Sequence, residues 1–208
     1  MVKYKKKNFL IILIAPSGGG KSTIGKIIHS ANEKIEYSIS YTTRKARGTE
    51  VNGRDYFFVS EDEFKKRADE GDFIEYAYVH GNWYGTSKSF IQDRIINGNH
   101  ILLDIDVQGA MKIIGSGINS ITVFILPPNE KILKQRLVDR GTDSPEIISA
   151  RLKNAKAEIK EIRNFQYLVI NDNLNKAIAE VENIIRVEEN KVSRYEKIYS
   201  TFYEENTC

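Results

Sequence analysis

Gly18-Gly19-Gly20-Lys21-Ser22-Thr23, preceded by Ala15-Pro16-Ser17, is the stretch of this chain best equipped for chemistry. Glycines let successive backbone N–H groups turn inward, and such a concavity holds phosphate oxygens. Lys21 would reach the terminal phosphates of a bound triphosphate, and the Ser22 hydroxyl would ligate Mg2+. The stretch completes a phosphate-binding loop pattern whose first position is normally Gly, and here it is Ala15. If that position needs a positive φ, Ala costs about 1 kcal/mol or more in strain. If it needs only a small side chain, Ala is harmless.

A strand and a helix must position this loop. Phe9 to Ile14 is a short, β-branched apolar run, as a strand covered on both faces requires. Ile24, Ile27, Ile28 and Ala31 then recur at helical spacing, so the positive end of a helix dipole faces the loop. His100 to Asp106 is a second buried-strand pattern, and it ends in acids. An Asp at the end of a strand beside a phosphate-binding strand orients Mg2+ or its water shell, which makes Asp104 a candidate metal ligand.

Residues 38–58 are dense in hydroxyls and arginines and poor in aliphatics. Arg44 and Arg47 offer planar forks suited to bidentate phosphate binding, and the Tyr56 phenol can donate to a phosphate. A solvated basic loop before an edge strand is the other reading. Ser60 and Glu63 form a capping box, opening a helix that stops at Gly71. Phe73 to Val79 alternates as a strand, which places Glu75 on the face of Phe73 and Ala77. Trp83 to Thr86 returns after a turn. Residues 35–88 therefore read as a small β-rich insertion in a larger α/β frame.

Further along, Phe90, Ile91 and Ile95 mark a helix, and Val107 to Ile114 a short one. Ser120 to Leu126 and Phe165 to Ile170 read as strands. Asn129 caps a helix carrying Ile132, Leu133 and Leu137 inward. Arg136 and Arg140 share its face one turn apart. Ser144-Pro145 opens another helix, whose stripe of Ile148, Leu152, Ala155, Ile159 and Ile162 runs beside Arg151. These arginines flank a Gly-Thr-Asp-Ser joint that could hinge as a lid, the alternative being a solvated helical face. A long helix begins at Leu174. The tail after it carries Tyr195, Tyr199, Phe202 and Tyr203, which pack on the domain or on a second subunit, so a homodimer stays open.

Composition narrows the class. The chain has 208 residues, 41% of them hydrophobic, which suits one α/β domain with embedded smaller pieces. A net charge of +3 does not call for nucleic acid as a partner. No stretch is long enough to span a bilayer, so no membrane partner is expected. The single cysteine, Cys208, leaves no internal disulfide and fits a cytoplasmic protein.

Taken in order, these pieces resemble guanylate kinase over about Phe9 to Arg186. The resemblance rests on the phosphate-binding loop and on Ser-x-Ser-x-Thr-Thr-Arg-x-x-Arg, which leads to Glu-Val-Asn-Gly-x-Asp-Tyr-Phe. Phe-Ile-Glu, Tyr-Gly-Thr, Leu-Asp-Ile-Asp-x-Gln-Gly and Arg-Leu-x-x-Arg-Gly-Thr-Asp-Ser follow. It implies an α/β fold: a P-loop NTPase core with a parallel sheet and flanking helices, an inserted β-rich GMP-binding domain and a helical lid. The core would be residues 1–34 and 88–208, with the lid at about 128–163 and the GMP-binding insertion at 35–87. The implied activity is Mg2+-dependent transfer of the ATP γ-phosphoryl group to GMP, giving ADP and GDP.

By the same resemblance, Ala15, Pro16, Ser17, Gly18, Gly19, Gly20, Lys21, Ser22 and Thr23 would hold ATP, with Asn171 on the ATP side. Arg44, Arg47, Tyr56 and Tyr84 would hold the GMP phosphate. Ser40, Glu75, Thr86 and Asp106 would read the guanine edge, Thr86 standing where the family often has Ser. Lys21, Arg44 and the lid arginines Arg136, Arg140 and Arg151 would carry the chemistry, and Ser22 and Asp104 would hold Mg2+ directly or through water. Two rivals remain open on sequence: a catalytically inactive guanylate-kinase-like protein-binding module, and a kinase for another nucleoside monophosphate. Retention of Lys21, Ser22, Arg44, Arg47 and the lid arginines argues against the first. Glu75 with the Arg44/Arg47 pair argues against the second.

Overall fold

The structure is a computed structural model, and it describes residues 5–79, 81–139, 144–196 and 198. Strand Leu10–Ile14 (β1) leads through the glycine-rich loop into helix Lys21–Ala31 (α1). Strand Ile35–Tyr37 (β2) follows, then two short strands, Tyr41–Thr42 (β3) and Phe57–Phe58 (β4). Helix Glu61–Asp69 (α2) precedes a hairpin of Phe73–Val79 (β5) and Asn82–Ser87 (β6). Helix Lys88–Ile96 (α3), strand His100–Asp104 (β7), helix Val107–Gly115 (α4) and strand Ser120–Leu126 (β8) come next. Helices Glu130–Asp139 (α5) and Pro145–Lys160 (α6), strand Tyr167–Ile170 (β9) and helix Leu174–Glu189 (α7) complete the order.

Two sheets result. The larger has five parallel strands in the order β2-β7-β1-β8-β9. β1 lies at its centre because all five of its side chains are buried, so both faces must be covered. Ile11 and Leu13 pack with Ile24, Ile28, Val181 and Ile185, from α1 and α7. Leu10, Ile12 and Ile14 face the other way, onto Ile91, Ala110 and Ile113, from α3 and α4. The phosphate-binding loop therefore leaves the sheet at the carboxyl end of β1, where the order turns back on itself and ligands bind in such sheets.

The second sheet, β4-β3-β6-β5, belongs to the insertion. Its outer face carries its own aromatic cluster. The rings of Phe64 and Phe73 stack at 4.6 Å, and those of Phe64 and Trp83 at 5.9 Å. Gly85 makes room for them, because a Cβ there would lie 2.9 Å from Phe64 and 3.0 Å from Phe73.

Three expectations are corrected. Ile35–Tyr37, placed in the insertion from sequence, pairs with β7 in the core sheet, so the insertion starts after Tyr37. Its hydrophobic Ile35 is buried in the core cluster, and that outweighs its closeness in sequence to the hydroxyl-rich loop. In α1, Ile24 and Ile28 are buried, while Ile27 and Ala31 are exposed. The helix turns Gly25 to the sheet instead, and a Cβ on it would stand 3.0 Å from Leu102 and 3.1 Å from the Tyr37 ring. In β5, a register shift between Phe73 and Glu75 breaks the alternation. Phe73 consequently joins the aromatic face, and Glu75 and Ala77 are buried on the opposite one.

Helices α5 and α6 make a small unit of their own. Leu133, Leu137 and Ala155 pack with Ile148 and Leu152, apart from the two main clusters. Asn129 caps α5 by accepting from the Ile132 N–H at 3.0 Å, and Ser144 caps α6 with Pro145 in its first turn. Arg140 and the Gly141-Thr142-Asp143 joint fall outside the described residues. Tyr199, Phe202, Tyr203 and Cys208 of the tail also lie outside them. The described part of the tail packs on the domain: Lys6 and Tyr195 form an antiparallel bridge, and Glu196 N–H donates to the Lys5 carbonyl at 2.9 Å.

Gly85→Ala should cost about 1–3 kcal/mol, because the buried Phe64 ring and the half-buried Phe73 ring must move to admit one methyl. Urea unfolding would read it. Gly115→Ala, with nothing within 4 Å of the added Cβ, should be neutral or stabilising under the same test.

Candidate active site

The loop is shaped by left-handed backbone at two positions. Gly18 has φ 89° and Gly20 φ 96°, conformations that L side chains rarely adopt. At Gly20 an added Cβ would also lie 2.3 Å from Asn171 Nδ2. Gly19 donates its N–H to the Pro16 carbonyl at 2.8 Å, and a Cβ on it would meet the Ala15 methyl at 2.7 Å. Ala15 is thus accommodated by the absence of a side chain at Gly19, which agrees with the size reading of that position. The first turn of α1 carries no acidic residue, so its positive end is left for an anion.

Lys21 and Asp104 meet at the floor of the site. Parallel pairing of β1 with β7 sets Leu13 beside Asp104, which brings the acid next to the loop. Lys21 Nζ lies 2.7 Å from Asp104 Oδ1 and donates to the Ile105 carbonyl at 2.6 Å. The Tyr37 hydroxyl donates to the other oxygen, Oδ2, at 2.9 Å. Burial alone would push Asp104 up, but the Lys21 charge and hydrogen bonds from Lys21, Ser22 and Tyr37 outweigh it. The carboxyl is held below its ordinary value. Burial pushes the Tyr37 phenol upward, so it stays a donor.

Across a cleft of about 420 Å³ stands Glu75, only 6% exposed. Thr86 on the paired strand β6 donates to Glu75 Oε1 at 2.6 Å. Burial, opposed by that hydrogen bond and assisted by the charge of Asp106, pushes the Glu75 carboxyl up to about 7. Asp106 caps α4 by accepting from the Gly109 N–H at 2.9 Å. Gly109 in turn lets α4 approach, since a Cβ there would be 2.6 Å from Glu75 Oε2. Ser40, Tyr56 and Tyr84 line the same cleft.

Arg44 is 8% exposed and forks onto Glu50, with contacts of 2.9 and 3.0 Å. Its guanidinium lies 5.2 Å from the centre of the Tyr56 ring. Burial also pushes the Tyr56 phenol up, so it remains a donor. Arg47 sits at the rim: its side chain is exposed, and its backbone N–H donates to Glu50 at 2.8 Å. Against the upward push of burial, its charge, with that of Arg44, helps hold the Glu50 carboxyl below its ordinary value.

The roof comes from α5, α6 and the end of β9. Arg136 Nη2 donates to the Asn171 carbonyl at 2.8 Å, and its Nη1 is buried without a hydrogen-bond partner. Asn171 Nδ2 donates to the Gly19 carbonyl at 2.9 Å, while its side-chain oxygen is buried and unpartnered. Arg151 Nη1 donates to Ser17 Oγ at 3.3 Å. Arg140 lies outside the described residues.

Sequence reasoning missed Glu50, Tyr37, Gly109 and Glu158. Glu50 sits in the quoted Glu-Val-Asn-Gly run, and Gly109 ends the Asp-x-Gln-Gly run, so motif position was a usable signal for both. Glu158 lies seven residues after Arg151, which shares its helix face. Tyr37 carries no local signal, because its contact with Asp104 spans 67 residues. Among the described residues no cluster of three or more His, Cys, Asp or Glu gathers to hold a metal ion. No helix among them is long and apolar enough to cross a membrane.

A phosphate-binding loop that faces a buried carboxylate across the same cleft is the arrangement of a P-loop nucleotide kinase. The family model for guanylate kinase matches residues 7–188. A guanylate kinase from Clostridium perfringens (strain SM101 / Type A) is 41% identical over 196 residues, covering 93% of this chain and 91% of its own length. One from Caldanaerobacter subterraneus subsp. tengcongensis is 40% identical, covering 97% and 98%. The crystal structure of guanylate kinase from Anaplasma phagocytophilum superposes with a TM-score of 0.82 at 30% identity, covering 97% of each chain. The chain belongs to the guanylate kinase family.

Gly20→Ala should lose about 1–2 kcal/mol from the left-handed backbone alone, with a further loss as Asn171 is displaced. Binding of a nucleoside triphosphate, read by calorimetry, should weaken by about 10-fold or more.

Proposed function

We propose that the protein transfers the γ-phosphoryl group of ATP to GMP, giving ADP and GDP, in the cytoplasm. The observation that carries this reading is the buried Glu75–Thr86 pair facing Lys21 across one cleft. An ionised carboxylate accepts from both guanine N1–H and the 2-amino group. Adenine lacks that donor pair and would leave a buried carboxylate unpaired, which discriminates strongly.

On this reading residues 38–87 bind GMP, Arg44, Arg47, Tyr56 and Tyr84 take its phosphate, and about 128–163 form the lid. Arg44 arrives preassembled, since Glu50 holds its fork and Tyr56 flanks its plane. Phosphoryl transfer needs alignment and charge neutralisation more than covalent help. The GMP phosphate is already an oxyanion, so no strong base is required. Lys21 and the lid arginines would stabilise charge on the transferring group, and closure over the cleft would exclude water.

Ser22 and Asp104 fit Mg2+. One hydroxyl and one ionised carboxylate, leaving the remaining positions to phosphates and water, is the sparse donor set that ion takes. When bound, it supplies positive charge to the phosphate oxygens.

A coupled assay with ATP and a panel of monophosphates tests the function. ADP should form rapidly with GMP and far more slowly with AMP or dTMP. Equal rates with AMP would defeat the guanine assignment, and absence of turnover would favour the inactive binding module. Glu75→Gln should cut kcat/KM for GMP about 100-fold while changing the KM for ATP little.

The pH dependence has a definite sign. Glu75 titrates at about 7 in the ligand-free protein, and its ionised form is the one that pairs with guanine. kcat/KM for GMP should therefore fall as pH drops below about 7 and level off above it. Thr86→Val removes a hydrogen bond that favours the ionised form, so the break in the profile should move to higher pH. An unmoved break would assign it to another group.

A further inference from the structure

Glu158 has no part in the scheme above, yet its surroundings are those of a ligand-facing group. It lies on α6 two turns beyond Arg151, which contacts Ser17 of the phosphate-binding loop. The helix thus presents one face to the cleft, with a cation at the loop and an anion further along. Glu158 lines that cleft together with Lys21, Glu75 and Asp106. Its Oε2 is buried and has no hydrogen-bond partner. Burial, opposed by the Lys21 charge and assisted by that of Asp106, pushes its carboxyl up to about 7. An acceptor kept dry beside other carboxylates costs stability unless a donor reaches it.

The donors that could satisfy it are few. Arg136 Nη1 is unpartnered in the same cleft, but among the described residues the only cation whose charge acts on Glu158 is Lys21. Lys21 already serves Asp104 Oδ1 and the Ile105 carbonyl. The triphosphate chain of ATP carries no donor. If GMP occupies the cleft, its N1–H and 2-amino group go to Glu75, and its phosphate brings acceptors only. What remains on the acceptor nucleotide is the pair of ribose hydroxyls, on the segment that joins the base end to the phosphate end.

We propose that Glu158 accepts a hydrogen bond from a ribose hydroxyl of the acceptor nucleotide, so that α6 reads the sugar while β5 reads the base. The proposal rests on GMP being the acceptor. It assigns a substrate-binding role to the lid helix beyond neutralising phosphate charge.

The test compares GMP, 2′-deoxy-GMP and 3′-deoxy-GMP at saturating ATP, in the wild-type chain, Glu158→Met and Glu158→Gln. Methionine keeps the length and removes the acceptor, whereas glutamine keeps a carbonyl acceptor. With GMP, Glu158→Met should lower kcat/KM by about 10-fold or more, mainly through KM. One of the two deoxy substrates should lose less than about twofold in the same variant. Whichever deoxy substrate is insensitive identifies the hydroxyl. Glu158→Gln should retain most of the preference for GMP over that substrate. Removing a negative charge alters all three phosphates alike, so the ratio between substrates isolates the sugar contact.

Equal losses for GMP and both deoxy substrates would overturn the proposal, assigning Glu158 to Lys21 or to metal-bound water. So would an unchanged ratio with unchanged rates. Because the variant removes an unsatisfied acceptor, its thermal midpoint should equal or exceed the wild-type value. A wild-type chain inactive on GMP would overturn the acceptor assignment itself, and the proposal with it.

Discussion

The contact between Lys21 and Asp104 is the point on which the rest of the structure turns. It exists because β1 and β7 run parallel in one register, with Leu13 beside Asp104. A shift of one residue would flip every side chain of β1 to the opposite cluster and withdraw the acid from the loop. The two-faced core therefore locks the geometry of the charged pair. The pair does little for stability in return: a buried ion pair roughly breaks even against its own desolvation. Its value lies in poise. Lys21 is held between Asp104 and the Ile105 carbonyl, already aimed at the loop whose N–H groups await an anion. A triphosphate arriving there can take over the ammonium without a new side-chain search.

The insertion solves a different problem, which is to keep a carboxylate dry, rigid and correctly turned. Phe64, Phe73, Trp83 and Tyr76 stiffen β5 and β6 from outside. On the inner face Thr86 fixes one oxygen of Glu75, and α4 closes over the other through Gly109. On the proposed reading, each device removes a rotamer or a water that would blunt discrimination between purines. A solvated carboxylate at the same place would accept from water when the wrong base came in, and the penalty for a mismatch would vanish.

The reach of the sequence follows from the range of the interactions. β1, α1 and their loop are local, so a six-residue apolar run and three glycines announced them. The capping residues Ser60, Asn129 and Ser144 were legible for the same reason. What failed was whatever depends on contacts between distant segments. Ile27 sat at helical spacing, but Gly25 turned the helix because Leu102 and Tyr37 stand where a side chain would go. The register shift before Glu75 comes from pairing with β6, and alternation along β5 alone could not show it. Tyr37 on Asp104 and Glu158 in the cleft of Lys21 are likewise products of the assembled fold. The residues that line the cleft were readable from residue types in motif order, whereas their supporting contacts were not.

The roof carries a small core of its own. α5 and α6 share a small cluster of their own around Leu133, Leu137 and Ala155, and only the far end of α6, at Ile159, joins the main core. Against the loop they make contacts of both kinds: Leu133 and Leu137 stand over Gly18, Arg151 donates to Ser17, and Arg136 donates to the carbonyl of Asn171, whose side chain holds Gly19. Arg136 Nη1 is a buried donor without a hydrogen-bond partner. The apolar contact holds the roof down whether or not substrate is present. On the proposed reading, that unmet donor and the cations over the anion site add to it when phosphates fill the space beneath. The substrates would then supply charges that favour the closed cleft, so that water is excluded most fully when there is a phosphoryl group to transfer.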